Sequence, residues 1–217
     1  MNDLGHPRSR WIKAVVFDVG GVLCPNPMNE FEKVDTEYGL PIGTVQSFLR
    51  GGSLFAECEV GRLPIAEFYA QMAADIAQSH QVEVPPARLD SMLSACVGDS
   101  VRPEMLELLK TLKAGGYQTG LLTNLFPEKR EWLRETFPPS LIDVYGESYE
   151  LGLRKPDPAI YHRLLEMLGR EPSEVVFVDD FSENLVGARK VGILGIDFVS
   201  PEQARSELAT AGVAVAG

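Results

Sequence analysis

The sequence predicts an α/β fold with a doubly wound parallel sheet, and two short apolar runs are the main reason. Residues 14–17 and 175–178 are apolar and rich in valine, and they lead into Asp18 and into the pair Asp179-Asp180. Uninterrupted runs of this kind are typical of strands buried on both faces of a parallel sheet. Carboxylates at strand ends lie at the carboxyl edge of the sheet, where open α/β folds bind ligands. Because clustered acids repel one another unless a cation lies between them, the pattern also indicates a metal.

Strand and helix patterns alternate along the C-terminal half of the chain, with short loops between them. The expected strands cover residues 13–18, 117–122, 141–145, 175–179 and 193–198. The expected helices cover residues 104–113, 128–136, 156–168, 183–191 and 201–211. This alternation is typical of a parallel, doubly wound sheet.

The stretch from residue 26 to residue 97 contains no convincing strand pattern. It has amphipathic helical segments instead, at residues 31–38, 44–49, 64–77 and 87–95. A helical block between two parts of an α/β pattern predicts an inserted module over the sheet edge. We therefore expect a flexible leader at residues 1–12, an α/β core at 13–25 and 98–217, and a helical cap at 26–97.

Composition and charge exclude several classes of function. The 217 residues suit one large domain or one domain with an insertion, and the net charge of −11 argues against nucleic-acid and anionic-membrane partners. No apolar stretch approaches the roughly 20 residues of a membrane span, and the polar start does not resemble a signal peptide. Three cysteines without metal or redox spacing, Cys24, Cys58 and Cys96, fit reduced thiols, so we expect a cytoplasmic protein. Three histidines and no cysteine pair make zinc improbable.

Four polar segments in a fixed order carry the candidate chemistry. They are Asp18, the dipeptide Thr123-Asn124 after a strand, the segment 152–158 around Lys155, and Asp179-Asp180. Taken singly, an aspartate or Thr-Asn after a strand more often caps a helix, and a lone lysine is more often solvated. Adjacent acids after a buried strand are harder to dismiss, because they cost electrostatic energy without a cation. The ordered set is far more specific than any one member.

This ordered set resembles the motifs of the haloacid dehalogenase-like (HAD) hydrolase superfamily, and the resemblance spans residues 14–197. It is closest to the subgroup that includes the N-terminal phosphatase-like domain of soluble epoxide hydrolases and small sugar phosphatases. The resemblance implies a Rossmann-like core in which the helical insertion is a C1-type cap. It also implies a Mg²⁺-dependent phosphatase that acts on a small phosphorylated metabolite. The sequence leaves the oligomeric state open between monomer and homodimer, since apolar faces of the helical insertion would allow a dimer.

The resemblance assigns the chemical roles residue by residue. Asp18 would be the nucleophile that forms an aspartyl-phosphate, and Lys155 would neutralise that carboxylate and the phosphate together. Thr123 and Asn124 would donate hydrogen bonds to phosphoryl oxygens. The substrate-binding set comprises Thr123, Asn124, Lys155 and Gly21. The metal set comprises Asp18, the carbonyl of Gly20, Asp179 and Asp180, and Asn184 would support the site wall.

The first motif departs from the phosphatase pattern at Gly20. That position normally holds a second aspartate, which serves as general acid and base. General acid–base catalysis supplies roughly 10²–10⁴-fold, or about 3–5 kcal/mol. We therefore expect a slow phosphatase, or one selective for good leaving groups such as a sugar 1-phosphate or acyl phosphate.

Three other interpretations compete with the phosphatase. A dehalogenase needs no second aspartate, so Gly20 fits it, but uncompensated Asp179-Asp180 would repel a carboxylate-bearing substrate. A phosphoacceptor receiver domain is shorter and has its acidic pair first. A binding or scaffold member that has lost catalysis is supported by Gly20 alone. The sequence leaves open which metabolite is the substrate and whether Glu57 or Arg62 faces the site.

Overall fold

A computed structural model describes residues 12–26, 28–49, 52–98 and 101–215. Within these residues, five parallel strands form one sheet in the order β3-β2-β1-β4-β5. The strands are β1 (Ala14–Phe17), β2 (Gln118–Thr123), β3 (Val144–Glu147), β4 (Val175–Asp179) and β5 (Leu194–Asp197). The α/β class predicted from the sequence is confirmed. The predicted leader lies outside the described residues except for Ile12.

The central strand β1 is buried on both faces, and its side chains alternate between two apolar layers. Val15 and Phe17 pack in one cluster with α6 (Pro103–Ala114), α7 (Arg130–Thr136) and α11 (Pro201–Thr210). Ala14 and Val16 pack in the other with α9 (Pro158–Leu168) and α10 (Ser182–Lys190). Burial on both sides explains why the sequence of this strand is a continuous apolar run and does not alternate between apolar and polar residues.

The register of the central strands decides where the polar side chains lie. Phe17 pairs with Leu121 of β2 on one side and with Val178 of β4 on the other. Asp18 and Asp179 each follow one of these paired residues, so they are neighbours at the carboxyl edge. That edge is the ligand-binding edge of open parallel sheets.

Helices fill the chain between β1 and α6, and the described residues of this stretch contain no strand. They are α1 (Met28–Glu37), α2 (Thr44–Leu49), α3 (Ser53–Glu59), α4 (Ile65–His80) and α5 (Pro86–Gly98), which we call the helical block. The block has its own apolar cluster, which includes Phe68, Met72 and Ile76. Phe126, from the loop after β2, is also buried in this cluster. The apolar cluster of the block thus includes a side chain from outside the block.

Three local features differ from the sequence prediction, and one is the helix α3, which no predicted helical segment covers. The third strand is three residues later than expected, because the N–H groups of Leu141 and Ile142 bond the carbonyl of Pro138 in a turn. A short helix, α8 (Ser148–Leu151), follows that strand directly and was not predicted. Single 3₁₀ turns at Pro127–Lys129 and Pro172–Glu174 complete the elements. Among the described helices, none combines the length and apolar character needed to cross a bilayer.

Candidate active site

Lys155 is a buried cation between two carboxylates. Its side chain is 1% exposed, and its Nζ lies 3.0 Å from Asp18 Oδ1 and 2.7 Å from Asp179 Oδ2. Burial alone would lower the pKa of Lys155, but Asp179 and Asp18 outweigh it and raise that pKa above its ordinary value. The lysine therefore stays protonated and holds two acids from adjacent strands together.

The acids around Lys155 are held in an unfavourable environment for negative charge. Burial raises the pKa of Asp18 to about 7; Lys155 opposes this shift, whereas Asp179 and Asp180 add to it. Burial, with a contribution from Asp179, raises the pKa of Asp180 to about 6. A single ammonium group is thus insufficient to compensate three clustered carboxylates.

The donor atoms of this cluster fit a hard divalent cation. Oxygens of Asp18, Asp179 and Asp180 all lie within 4.8 Å of one another. Asp180 Oδ1 is buried and finds no hydrogen-bond donor among the described residues, whereas its Oδ2 accepts from Asn26 Nδ2 at 3.1 Å. A buried carboxylate oxygen without a partner is costly, and a cation with oxygen ligands would satisfy it.

Asp179 differs from Asp180 because protein donors already bind its carboxylate. Oδ2 accepts from Lys155, and Oδ1 accepts from the N–H of Phe181 at 2.8 Å. The side-chain amide of Asn184 lies 3.0 Å from each oxygen. Asn184 thus contacts Asp179 of the acidic cluster, and its supporting role stays a prediction.

The two glycines after Asp18 have opposite surroundings. Gly21 has a φ of +82°, and a Cβ added there would lie 2.1 Å from Asp180 Oδ2. The resemblance places Gly21 at the substrate, and in the structure its backbone lies against the Asp180 carboxylate. Gly20 is exposed, and an added Cβ would meet no heavy atom within 4 Å. A side chain at position 20 would therefore have open space.

Asn124 contacts the backbone of Lys155 at both ends of its side-chain amide. Its Oδ1 accepts the Lys155 N–H at 2.9 Å, and its Nδ2 donates to the Lys155 carbonyl at 3.1 Å. Thr123 is buried at the end of β2, directly before it. The predicted pair lies beside Lys155, and the Asn124 amide holds the lysine loop. The contact with phosphate that the resemblance implies stays a prediction.

Two further side chains at the site were missed in the sequence. Asn26 belongs to a Gly/Pro-rich loop, and nothing local distinguishes it from a solvated turn residue. Glu59 is 6% exposed and binds Arg154, the residue before Lys155. Of the residues left open, Glu57 and Arg62 form an exposed ion pair with each other, 3.2 Å apart. The pattern of alternating acids at 57 and 59 gave no indication of which one is buried.

The sheet topology, with an acidic cluster and a buried lysine at its carboxyl edge, defines a Rossmann-like α/β protein with a candidate cation site. A family model described as haloacid dehalogenase-like hydrolase matches residues 12–192. The chain therefore belongs to the haloacid dehalogenase-like hydrolase family, and the resemblance stated from its motifs is confirmed.

Known proteins similar to this chain include two curated relatives and one solved structure. The chain is 34% identical over 212 residues to Acyl-CoA dehydrogenase family member 10 of Mus musculus, which covers 94% of this chain but 19% of that protein. It is 30% identical over 189 residues to the sesquiterpene phosphatase astK of Aspergillus oryzae, covering 85% and 88% of the two chains. The HAD family enzyme bt-2542 of Bacteroides thetaiotaomicron, in complex with magnesium and inorganic phosphate, is 24% identical with a TM-score of 0.63, covering 86% and 93%.

The chain thus spans about a fifth of the mouse relative and most of the fungal one. The cytoplasmic location and the monomeric or homodimeric state stay predictions from the sequence.

Proposed function

We propose that this protein is a Mg²⁺-dependent phosphatase that acts on a small phosphorylated metabolite through an aspartyl-phosphate on Asp18. The observation that carries the proposal is the buried Lys155, 3.0 Å from Asp18, beside an Asp180 oxygen that lacks a donor among the described residues. The similarity to a protein named as a phosphatase, over 85% of this chain, supports the same reaction.

In the proposed reaction, an ionised oxygen of Asp18 attacks phosphorus, and the leaving-group oxygen departs with its bonding electron pair. Water then attacks the phosphorus of the aspartyl-phosphate, which releases inorganic phosphate and restores Asp18. The Lys155 ammonium offsets the charge of the nucleophile and of the phosphoryl group during both steps. Thr123, at the end of β2, is the candidate donor to a phosphoryl oxygen.

Asp18, Asp180 and the carbonyl of Gly20 are the groups that would hold Mg²⁺. When bound, the ion would stabilise charge on the phosphoryl oxygens and favour ionised Asp18. We assign Asp179 chiefly to holding Lys155, since donors from the protein already occupy both of its oxygens. Asn184 fixes Asp179, and Asn124 fixes the Lys155 backbone.

We further propose that residues 26–97 act as a cap over a core formed by residues 13–25 and 98–217. The separate apolar cluster of the helical block supports this division. Under this proposal, the cap selects the metabolite and the core performs the chemistry. Because Gly20 offers no acid, the leaving group must depart with little protonation, which favours a sugar 1-phosphate or acyl phosphate.

The test is release of inorganic phosphate from an aryl phosphate, with and without Mg²⁺, for the wild type and Asp18→Asn. We expect Mg²⁺-dependent turnover in the wild type and a loss of at least about 10³-fold in the variant, since the covalent route is removed. Equal rates in both proteins would refute the aspartyl-phosphate. Halide release from a 2-haloacid without Mg²⁺ would indicate a dehalogenase instead. A panel of phosphorylated metabolites then identifies the substrate class.

A further inference from the structure

The carboxylate of Glu59 joins the helical block to the loop that carries Lys155. Glu59 is the last residue of α3, and its side chain is 8% exposed. Its Oε2 accepts a hydrogen bond from Arg154 Nε at 2.7 Å and lies 2.6 Å from Arg154 Nη2. Arg154 directly precedes Lys155, so this ion pair ends one residue from the buried ammonium.

A second connection runs from the same residue through Ser148. The hydroxyl of Ser148 lies 2.5 Å from the backbone carbonyl of Glu59 and accepts the N–H of Leu125 at 2.9 Å. Leu125 follows Asn124, whose amide binds both sides of the Lys155 backbone. The two connections close a ring of contacts: Glu59, Arg154-Lys155, Asn124-Leu125, Ser148, and Glu59 again.

The ion pair between Glu59 and Arg154 differs from a surface ion pair because the Glu59 carboxylate is buried. Burial raises the pKa of Glu59, whereas Arg154 and Lys155 oppose that rise. A buried charge pair is weak evidence for stability, because desolvation offsets much of the attraction, but it does fix one geometry. The neighbouring pair Glu57–Arg62 is exposed, and exposed pairs of this kind contribute little.

We propose that Glu59 is a positioning residue that, through Arg154, sets the place of Lys155 relative to Asp18 and so couples the docked helical block to catalysis. The inference rests on the proposed phosphatase function for its kinetic consequence. Glu59 contacts Arg154 and Ser148, so its effect passes through the lysine loop. Since small misplacements of a catalytic group are costly, loss of the pair lowers turnover more than substrate affinity.

The kinetic test compares Glu59→Gln with the matched control Glu57→Gln, which lies two residues earlier in the same helix. We expect Glu59→Gln to lower kcat on an aryl phosphate about 10-fold or more with a KM within about twofold, and Glu57→Gln to change neither. The double variant Glu59→Gln/Arg154→Gln should lose no more than the single variant, because both substitutions cut the same connection. Additive losses, or an unchanged kcat in Glu59→Gln, overturn the proposal.

Hydrogen–deuterium exchange tests the coupling without any substrate. We expect the amides of Lys155 and Leu125 to exchange faster in Glu59→Gln, while the sheet amides of Phe17 and Val178 keep their wild-type rates. A merely structural role would speed exchange across the sheet as well. If the wild type hydrolyses nothing, the phosphatase proposal fails and exchange alone decides the coupling. Should Glu59→Gln not fold, Arg154→Gln replaces it, and wild-type exchange at both amides overturns the proposal.

Discussion

At the scale of single residues, the loop after Asp18 shows how closely backbone and carboxylates approach. Gly21 faces Asp180 with no room for a methyl group, whereas Gly20 next to it faces open space. The resemblance already assigned Gly20 and Gly21 different roles, but only the folded geometry shows that one has room for a side chain and the other has none. Each yields a separate prediction.

For Gly21→Ala we expect loss of Mg²⁺ binding together with a clear fall in melting temperature. The Cβ would lie 2.1 Å from Asp180 Oδ2, so the carboxylate or the loop has to move. The control is Gly116→Ala, which has a similar φ of +80° but no neighbour within 4 Å of the added Cβ. The control should lose only the roughly 1–2 kcal/mol of left-handed strain. Equal Mg²⁺ affinity in Gly21→Ala and the wild type, measured by calorimetry, would contradict this account.

For Gly20→Asp we expect faster turnover of phosphates with poor leaving groups, by about 10-fold or more, because a general acid is restored. The open space at this position allows the side chain without displacing a neighbour. The measurement is kcat across aryl phosphates of increasing leaving-group pKa, with Gly20→Asn as an isosteric control that has no acidic proton. A flat or lower rate in folded Gly20→Asp would count against the leaving-group hypothesis.

At the scale of elements, the site depends on loops after β2 and before α9 that support each other. Asn124 connects them through two hydrogen bonds to the Lys155 backbone. For Asn124→Ala we expect a kcat reduced about 10-fold or more and an unfolding free energy lowered by about 1–3 kcal/mol, since buried groups lose their partners. Steady-state kinetics and denaturant unfolding measure both. A raised KM with unchanged kcat would contradict this positioning role and would instead support the phosphate-binding role that the resemblance implies for Asn124.

The elements also show what the sequence could and could not predict. Runs such as residues 14–17 predict strands well, because burial on both faces requires continuous apolar side chains. The start of β3 could not be placed, since the turn at Pro138 competes with strand pairing for the same apolar residues. Contacts such as Glu59 with Arg154 join residues 95 positions apart and leave no local pattern. The motif residues could be named in advance, but their partners could not.

At the scale of the whole molecule, the acidic cluster makes stability depend on pH and on divalent cations. The pKa values of Asp18 and Asp180 are raised from an ordinary 3.8 to about 7 and about 6. Without a cation, ionisation of these two carboxyl groups therefore opposes folding. Their contribution to the free energy of unfolding falls as pH rises from about 4 to about 7. Binding of Mg²⁺ to the folded state should reverse that loss.

We therefore expect cation-free Asp180→Asn to become more stable relative to the wild type as pH rises from 4 to 7. Thermal melts in chelator measure this difference, and Asp90→Asn, on an exposed position of α5, serves as the control. At pH 8, added Mg²⁺ should raise the melting temperature of the wild type and leave Asp180→Asn nearly unchanged. A pH-independent difference between the two proteins, or equal responses to Mg²⁺, would contradict the metal assignment.

The position of Phe126 has a consequence for engineering. Its backbone belongs to the strand–loop framework, but its ring is enclosed by the helices of the block. If that block were replaced by the block of a relative to change selectivity, the Phe126 ring would contact different side chains. Removal of a buried phenylalanine typically costs about 3–5 kcal/mol of stability. A chimaera should therefore exchange position 126 along with the grafted segment, because the natural unit of exchange is discontinuous in the chain.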